Sequence, residues 1–186
     1  IGKGVDGTIV LLYYALVIAG FIAIFSVEFR PGDSFFQSLL DLKKNYSKQL
    51  LFTGISSLLA VFVLLTDSKF FTTISNLLYV AGILLMFLTF VIGKDIGGSK
   101  SWIALGGGFN LQPAELCKIF TALALAKYLS RQETEFNNLR SYLIGMAIVL
   151  VPAVLSVAQK ETGLALVYFS FFLVMYREGL PSIYII

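Results

Sequence analysis

The sequence predicts an all-α fold: a polytopic integral membrane helix bundle with six transmembrane helices. Of its 186 residues, 58% are hydrophobic and 13% are charged, whereas an average soluble domain is about 45–50% apolar and about 25% charged. Six apolar runs approach the roughly 20 residues that a membrane-spanning helix needs. These runs lack the regular polar face of a soluble amphipathic helix, so the composition disfavours a soluble helical protein.

The six apolar runs define the predicted spans in chain order. They are Thr8–Phe29, Leu50–Thr66, Phe70–Gly93, Pro113–Leu129, Tyr142–Ala158 and Gly163–Tyr176, the last extending to about residue 180. The first run is too long for the apolar part of a signal peptide, and no cleavage site of small residues follows it. The chain begins with Ile1 and ends within a further apolar stretch, so we expect it to be part of a longer protein.

The first long connection, residues 30–49, carries a helix-start signal. Ser34 and Gln37 have the spacing of a capping box, and the phenylalanine and leucine side chains around them fall on one face of a helix. This pattern predicts a short amphipathic helix on the membrane surface. An ordinary amphipathic connector without a function explains the same pattern equally well.

The second long connection, Lys94–Gln112, is rich in glycine and contains the single tryptophan, Trp102. Tryptophan is enriched at the headgroup level of membranes, and Lys94 and Lys100 are suited to meet an anionic group such as a phosphate. The alternative is a glycine-rich turn that is anchored by the tryptophan and binds no ligand.

Two charged residues lie near the start of the fourth predicted span. Pro113 suits the first position of a helix, where its missing N–H is not needed. Glu115 then falls in the first turn, where the helix dipole favours an anion, and Lys118 lies three residues later on the same face. Ionisable residues in an apolar span are costly, so they indicate a functional site.

Charge and composition exclude several other classes of site. The net charge of +3 is spread along the chain and forms no basic stripe of the kind that binds nucleic acid. The sequence has no histidine, which excludes histidine triads, metal sites and proton relays. The single cysteine, Cys117, permits no internal disulfide. Lysine and arginine are nearly balanced between the two sets of loops, so they do not decide the orientation.

Three segments together resemble the SEDS family, which comprises RodA, FtsW and SpoVE. The segments Gly98–Ile103, Gln112–Lys118 and Gln159–Gly163 are similar to the family's G-A-x-R-W-I loop, its Q-P-[S/A]-E-x-x-K helix start and its Q-P-D-x-G turn. Their order and spacing match over about residues 50–181. Within the family, the sequence looks most like the elongation member, RodA.

The resemblance implies a ten-helix fold in which residues 1–186 are the N-terminal part of a single transmembrane domain. It also implies a peptidoglycan glycan-strand polymerase of the bacterial cytoplasmic membrane that acts in cell elongation and rod-shape maintenance. The expected substrate is lipid II, the undecaprenyl-diphosphate-linked disaccharide pentapeptide. The expected partners are a class B penicillin-binding protein and membrane lipids. The family's catalytic aspartate is expected beyond residue 186, so no catalytic residue is assigned here and the isolated chain is expected to be inactive.

The resemblance also gives roles to residues of this chain. Lys118 is expected to attract the diphosphate of the lipid donor, and Glu115 to hold Lys118 in place and keep it charged. Glu161 is expected to approach from the turn between the fifth and sixth helices, on the same side of the membrane as the second long loop. The predicted substrate-binding residues are Lys100, Trp102, Gln112, Glu115, Lys118 and Glu161.

Two departures from the family pattern concern these roles. Ser101 stands where the family has arginine, with Lys100 one position earlier, and a lysine lacks the bidentate fork of arginine. Lys160 stands where the family has proline, which predicts a less rigid turn, and Glu161 replaces aspartate.

Three alternatives remain open at the level of sequence. The Glu115–Lys118 pair could only lock its helix against neighbouring helices. The protein could instead be a flippase that transports the lipid-linked precursor, or a non-catalytic scaffold for a penicillin-binding protein. No cofactor is indicated, although a divalent cation could neutralise a departing diphosphate in place of side chains.

Overall fold

The structure, a computed structural model, describes residues 6–29, 41–106, 109–130 and 139–179. These residues form six helices and a three-stranded antiparallel sheet. The elements are α1 (Gly7–Glu28), α2 (Asn45–Leu65), α3 (Ser68–Ile92), β1 (Lys94–Ile96), β2 (Ser99–Gly106), β3 (Phe109–Leu111), α4 (Pro113–Leu129), α5 (Leu139–Ala158) and α6 (Thr162–Arg177). The chain divides into two compact units, Ile1–Asp67 and Ser68–Ile186.

The first unit pairs α1 with α2, and carboxylates cap both helices. The side chain of Asp6 accepts a hydrogen bond of 2.8 Å from the backbone N–H of Thr8. At the other end of α1, Glu28 accepts from the backbone N–H groups of Asn45 and Tyr46 at 2.7 and 3.3 Å. Glu28 therefore satisfies donors that the start of α2 would otherwise leave unpaired.

The surface of the first unit suits a lipid environment. Helix α1 has no buried residue, and its outer positions carry leucine, isoleucine and valine. Within the span, the hydroxyl of Tyr14 donates to the hydroxyl of Ser57 at 3.1 Å. This bond joins α1 to α2 within their apolar segments, where lipid would offer no hydrogen-bond partner.

The second unit contains the packed core. One buried cluster consists of Leu125, Val149, Ala153, Tyr168 and Met175. A second lies nearer the sheet and consists of Met86, Ala114, Cys117 and Leu164. Helices α3 and α4 approach closely at Gly82, where an added Cβ would lie 2.9 Å from the ring of Phe120. The small residue permits this contact, as is common between membrane helices.

Polar side chains add cross-links between the helices of the second unit. The Tyr79 hydroxyl donates to the Ile148 carbonyl at 3.1 Å and joins α3 to α5. The Gln159 side-chain amide donates to the Met86 carbonyl at 2.9 Å and to the Thr89 hydroxyl. These bonds give buried backbone and side-chain groups partners inside the bundle, which a membrane-embedded structure requires.

The predicted helices are confirmed, with adjustments at their ends. Helix α4 has the predicted bounds, but α2 begins at Asn45, so the assignment of Asn45–Gln49 to a loop was wrong. Four helices, α1, α2, α3 and most of α5, are long and apolar enough to cross a membrane. Helices α4 and α6 have 17 and 16 residues, about 26 and 24 Å at 1.5 Å per residue.

Most of the predicted surface helix lies at residues 30–40, outside the residues that the structure describes. The next residues form a turn, in which the backbone N–H of Lys44 donates to the Asp41 carbonyl at 3.0 Å. The predicted helix therefore does not continue through residues 41–44.

The expectation of a glycine-rich turn for Lys94–Gln112 was incomplete, because this segment forms the three-stranded sheet. Strand β2 pairs with β1 on one side and β3 on the other. Gly97 and Gly98 connect β1 to β2 with φ angles of 68° and 86°, a backbone conformation that favours glycine. The glycines thus build tight connections, while the residues between them form strands.

Candidate functional site at the sheet end of the second unit

The predicted charged pair lies at the start of α4. Pro113 occupies the first turn, and the backbone N–H of Glu115 donates to the Gln112 carbonyl at 3.1 Å. One turn later, the Lys118 ammonium donates to a Glu115 carboxylate oxygen at 2.7 Å. The two side chains remain 26% and 50% exposed, respectively. The predicted pairing is confirmed, and neither side chain is fully buried within the described residues.

Strand β2 separates the neighbouring residues onto two faces. Side chains alternate along a strand, so Ser99 and Ser101 share one face, and both are buried. Lys100 and Trp102 share the other face. The Lys100 ammonium donates to the Phe90 carbonyl at the end of α3, at 3.2 Å. The structure thus places Lys100 and Trp102 on the opposite face of β2 from the two serines.

The turn after α5 sets the position of Glu161. The backbone N–H groups of Lys160 and Glu161 donate to the carbonyls of Val157 and Ser156, both at 2.9 Å. This pattern is a Schellman motif, in which the residue after the helix cap is left-handed. Lys160 has a φ of 64°, as the motif requires. The helix end thereby directs the Glu161 side chain toward the sheet.

Glu161 is the acceptor at the centre of a hydrogen-bonded group. One of its carboxylate oxygens accepts from Ser99 Oγ at 2.5 Å, Ser101 Oγ at 2.7 Å and Gln112 Nε2 at 3.0 Å. The two serine oxygens lie 2.6 Å apart. We call these four residues the Glu161 cluster. The predicted placement of the second long loop and the α5–α6 turn at one end of the bundle is therefore confirmed.

The structure divides the predicted site residues into three groups. Glu115 pairs with Lys118, Gln112 joins Glu161, and Lys100 and Trp102 lie on the other face of β2. Gln112 links the first two groups because it directly precedes α4. Ser99 and Ser101 were not predicted as partners of Glu161. The alternation Ser-Lys-Ser-Trp was the sequence signal that could have placed both serines on one face.

The described residues provide no ligand set for a metal ion. Across residues 6–29, 41–106, 109–130 and 139–179, no group of three histidine, cysteine, aspartate or glutamate side chains could hold one. Glu115 is engaged by an ammonium and Glu161 by three neutral donors. A divalent cation therefore does not fit these residues as a resident group.

A cavity of about 360 Å³ lies between α3, α4 and α5. It is lined by Asn76, Tyr79, Val80, Ala124, Lys127, Tyr128, Ile144 and Ile148. Lys127 belongs to the last turn of α4, whereas the sheet precedes the first turn. The cavity therefore lies toward the end of the bundle opposite the charged pair and the Glu161 cluster.

Comparison with known proteins identifies the family. Residues 7–186 match the family described as cell cycle protein, which comprises FtsW, RodA and SpoVE. The chain belongs to this family, the SEDS family of the sequence resemblance. It is 32% identical over 165 residues to a probable peptidoglycan glycosyltransferase FtsW from Escherichia coli O6:H1. That alignment covers 88% of this chain and 39% of the relative.

Solved structures share the fold. The chain superposes on the rod shape determining protein RodA of Thermus thermophilus with a TM-score of 0.79 and 29% identity, covering 97% of this chain and 56% of that one. A chain from a peptidoglycan synthase complex that coordinates polymerization and crosslinking gives a TM-score of 0.75 at 28% identity, with coverages of 96% and 49%. The chain is thus a multi-pass helical membrane protein of the SEDS family, spanning about half the length of these two solved chains.

Proposed function

We propose that this chain is the N-terminal part of a peptidoglycan glycosyltransferase that polymerises glycan strands from lipid II. The family membership and the names of the relatives support this function. The observation in the structure that supports it most is the Glu115–Lys118 pair, an accessible ammonium at the end of the bundle that carries the sheet.

The reaction explains why an ammonium is needed there. A hydroxyl of the acceptor sugar attacks the anomeric carbon of the donor sugar, and the bond from that carbon to the lipid diphosphate breaks. A base takes the hydroxyl proton, and the diphosphate leaves with increased negative charge. We propose that Lys118 meets this charge, since a cation fixed where charge develops lowers the barrier. Glu115 holds the ammonium in place, and the base is expected outside this chain.

The remaining site predictions are part of the same proposal. Lys100 and Trp102 lie on one face of β2, where they would line the entrance for the lipid headgroup. Gln112 would contribute through its position directly before α4. A direct contact between Glu161 and the substrate stays a prediction, and the hydrogen bonds of Glu161 favour a role within the fold.

A transport function has less support. The cavity at the opposite end of α4 contains Lys127 and could be taken for a second substrate site of a flippase. However, the described helices show no broken span near the midplane, which is frequent in transporters. A scaffold function also has less support, because it requires no partly exposed ammonium beside the sheet.

We further propose that the protein acts at the outer face of the cytoplasmic membrane, with a class B penicillin-binding protein, in cell elongation and rod-shape maintenance. The structural similarity to a chain from a complex that coordinates polymerization and crosslinking supports such a partner. Relatives named FtsW and RodA both match this chain. Complementation separates the two cellular roles: rescue of a strain depleted of RodA, but not of FtsW, would support elongation.

Purified full-length protein with lipid II tests the activity directly. We expect glycan chains from the parental protein, and none from residues 1–186 alone because the base is absent. In liposomes that contain lipid II, a protein that translocates the precursor yet forms no glycan would contradict the polymerase and support the flippase. A protein inactive in both assays that still binds the penicillin-binding protein would support the scaffold.

A further inference from the structure

We propose that Glu161 is a positioning residue that fixes the sheet and the start of α4, so that Lys118 faces the substrate. This inference rests on the proposed function, but it concerns a contact network rather than the reacting atoms. It assigns to Glu161 a role within the protein in place of the predicted substrate contact.

The hydrogen bonds of Glu161 connect three elements. Its carboxylate accepts from Ser99 and Ser101 of β2 and from Gln112 before α4, while its own backbone ends the Schellman motif of α5. Both serines are buried, with exposures of 7% and 0%. Without the carboxylate, the two serine hydroxyls can still pair with each other, but one of the two buried O–H groups loses its acceptor, which is unfavourable; Glu161 therefore helps to keep this end of the sheet in place.

The connection from Glu161 to Lys118 runs through Gln112. The side chain of Gln112 donates to Glu161 at 3.0 Å, and its carbonyl accepts from the backbone N–H of Glu115 at 3.1 Å. Glu115 in turn holds the Lys118 ammonium at 2.7 Å. A shift of the carboxylate would therefore move the first turn of α4, on which the charged pair stands.

The donors around Glu161 also argue against a substrate contact. One oxygen already accepts three hydrogen bonds from neutral donors. The charge of this carboxylate is not balanced by a cation in these contacts, so it would repel an anionic diphosphate. Glu115 differs, because its charge is balanced by the ammonium that would meet the diphosphate.

A double-mutant cycle in the full-length protein tests the role. We expect Glu161→Ala and the double variant Ser99→Ala/Ser101→Ala each to lower the polymerisation rate roughly tenfold to a hundredfold, because a displacement of about 1 Å can cost a hundredfold. Combining all three substitutions should add little, since residues of one network are not additive. Glu161→Gln keeps the length of the side chain and covers the case in which the alanine variant does not fold. Glu178→Ala, at the other end of α6, is the matched control and should keep the parental rate.

Trp102 provides a readout that does not depend on activity. It is the single tryptophan of this chain and directly follows Ser101. Any tryptophans elsewhere in the full-length protein are replaced by phenylalanine, so that the fluorescence reports on Trp102 alone. Glu161→Ala and the serine double variant should both shift its emission to longer wavelength and increase its quenching by acrylamide. Lys118→Ala should leave both properties unchanged.

The outcomes separate the two roles. A serine double variant with the parental rate and unchanged Trp102 emission, beside an inactive Glu161→Ala, would overturn the inference and support substrate contact. Full additivity of the rate losses would also overturn it. If the parental protein forms no glycan while Trp102 responds as expected, the proposed function fails but the positioning role of Glu161 stands.

Discussion

The carboxylates of Glu115 and Glu161 lie at the same end of the second unit but differ in exposure and in the groups that they contact. Glu115 is half exposed and holds one cation, Lys118. Glu161 is half buried. It accepts three hydrogen bonds from uncharged side chains, those of Ser99 and Ser101 in strand β2 and of Gln112 directly before α4. In the sequence both are acidic residues beside apolar helices, and both belong to motifs of the family. Only the contacts distinguish them.

The difference concerns what each carboxylate can still do. The Glu115–Lys118 pair retains accessible charge, so a ligand can bind the ammonium without breaking a buried contact. Ion pairs at a surface contribute only about 0–1 kcal/mol to the free energy of unfolding. The Glu115–Lys118 pair therefore stabilises α4 only weakly. One oxygen of Glu161 is engaged by three donors within the fold, and loss of the side chain leaves one of the two buried serine hydroxyls without an acceptor. We therefore assign a functional role to Glu115, with Lys118, and a structural role to Glu161.

Exchanging the two charges of the exposed pair should have the largest effect. The double variant Glu115→Lys/Lys118→Glu can still form an ion pair three residues apart, but it moves the ammonium by one turn of α4. We expect a loss of polymerisation of roughly a hundredfold or more, the size found when a stabilising donor is removed from an active site. The measurement is the rate of glycan formation from lipid II by full-length protein.

The exchange also tests the structural alternative. Lys127→Ala, in the last turn of the same helix, is the control and should polymerise at the parental rate. An exchanged pair that retains the parental rate would mean that Glu115 and Lys118 only stabilise α4, and the site assignment would then fail.

Replacing Lys160 by the proline of the family pattern should disturb the helix end that positions Glu161. Lys160→Pro cannot adopt the φ of 64° observed at this position, and it removes the N–H that donates to the Val157 carbonyl. We expect destabilisation of more than about 1 kcal/mol, because proline is incompatible with this backbone conformation, with a rate loss of roughly tenfold as the Glu161 cluster shifts. Thermal unfolding in detergent and the polymerisation rate are the measurements.

A glycine at position 160 separates the effect of the backbone conformation from the effect of losing the lysine side chain. Lys160→Gly accepts the left-handed conformation without strain and should match or exceed the parental stability. If the proline variant is as stable and active as the parent, the left-handed conformation of Lys160 is not what positions Glu161, and the account of Glu161 loses its basis.

Removing only the charge of Glu115 should have a smaller effect. Glu115→Gln leaves the ammonium of Lys118 in place but weakens its orientation, so we expect a rate loss of about threefold to tenfold. Because the pair is exposed, the free energy of unfolding should change by less than about 1 kcal/mol. Steady-state kinetics and thermal unfolding measure the two quantities. A stability loss several times larger, with an unchanged rate, would show that Glu115 is structural.

The smallest effect is expected at Lys100. Its ammonium lies on the outer face of β2 and donates to a backbone carbonyl of α3. Lys100→Ala should raise the KM for lipid II by about twofold to fivefold, the equivalent of an exposed charge contact, with little change in kcat. A loss as large as that of the exchanged pair would make Lys100 a principal substrate contact.

Much of the fold could be predicted because membrane helices leave a strong signal. Helix α4 has the predicted bounds, since Pro113 fixes its start and an apolar run follows. The sheet was missed because two of its strands have only three residues, and because the eight-residue strand β2 does not alternate polar and apolar side chains regularly. The Glu115–Lys118 contact was predictable from a spacing of three residues. The Glu161–Ser99 contact joins positions 62 residues apart, and no local pattern specifies such a contact.

Hydrogen exchange of the sheet in two variants tests the division of roles most directly. The measurement follows peptides that cover residues 94–111 by mass spectrometry in full-length Glu161→Ala, Lys118→Ala and parental protein. We predict faster exchange across β2 and β3 in Glu161→Ala, and parental exchange in Lys118→Ala although that variant is inactive. Equal exchange in both variants, or loss of protection in Lys118→Ala alone, would contradict the account.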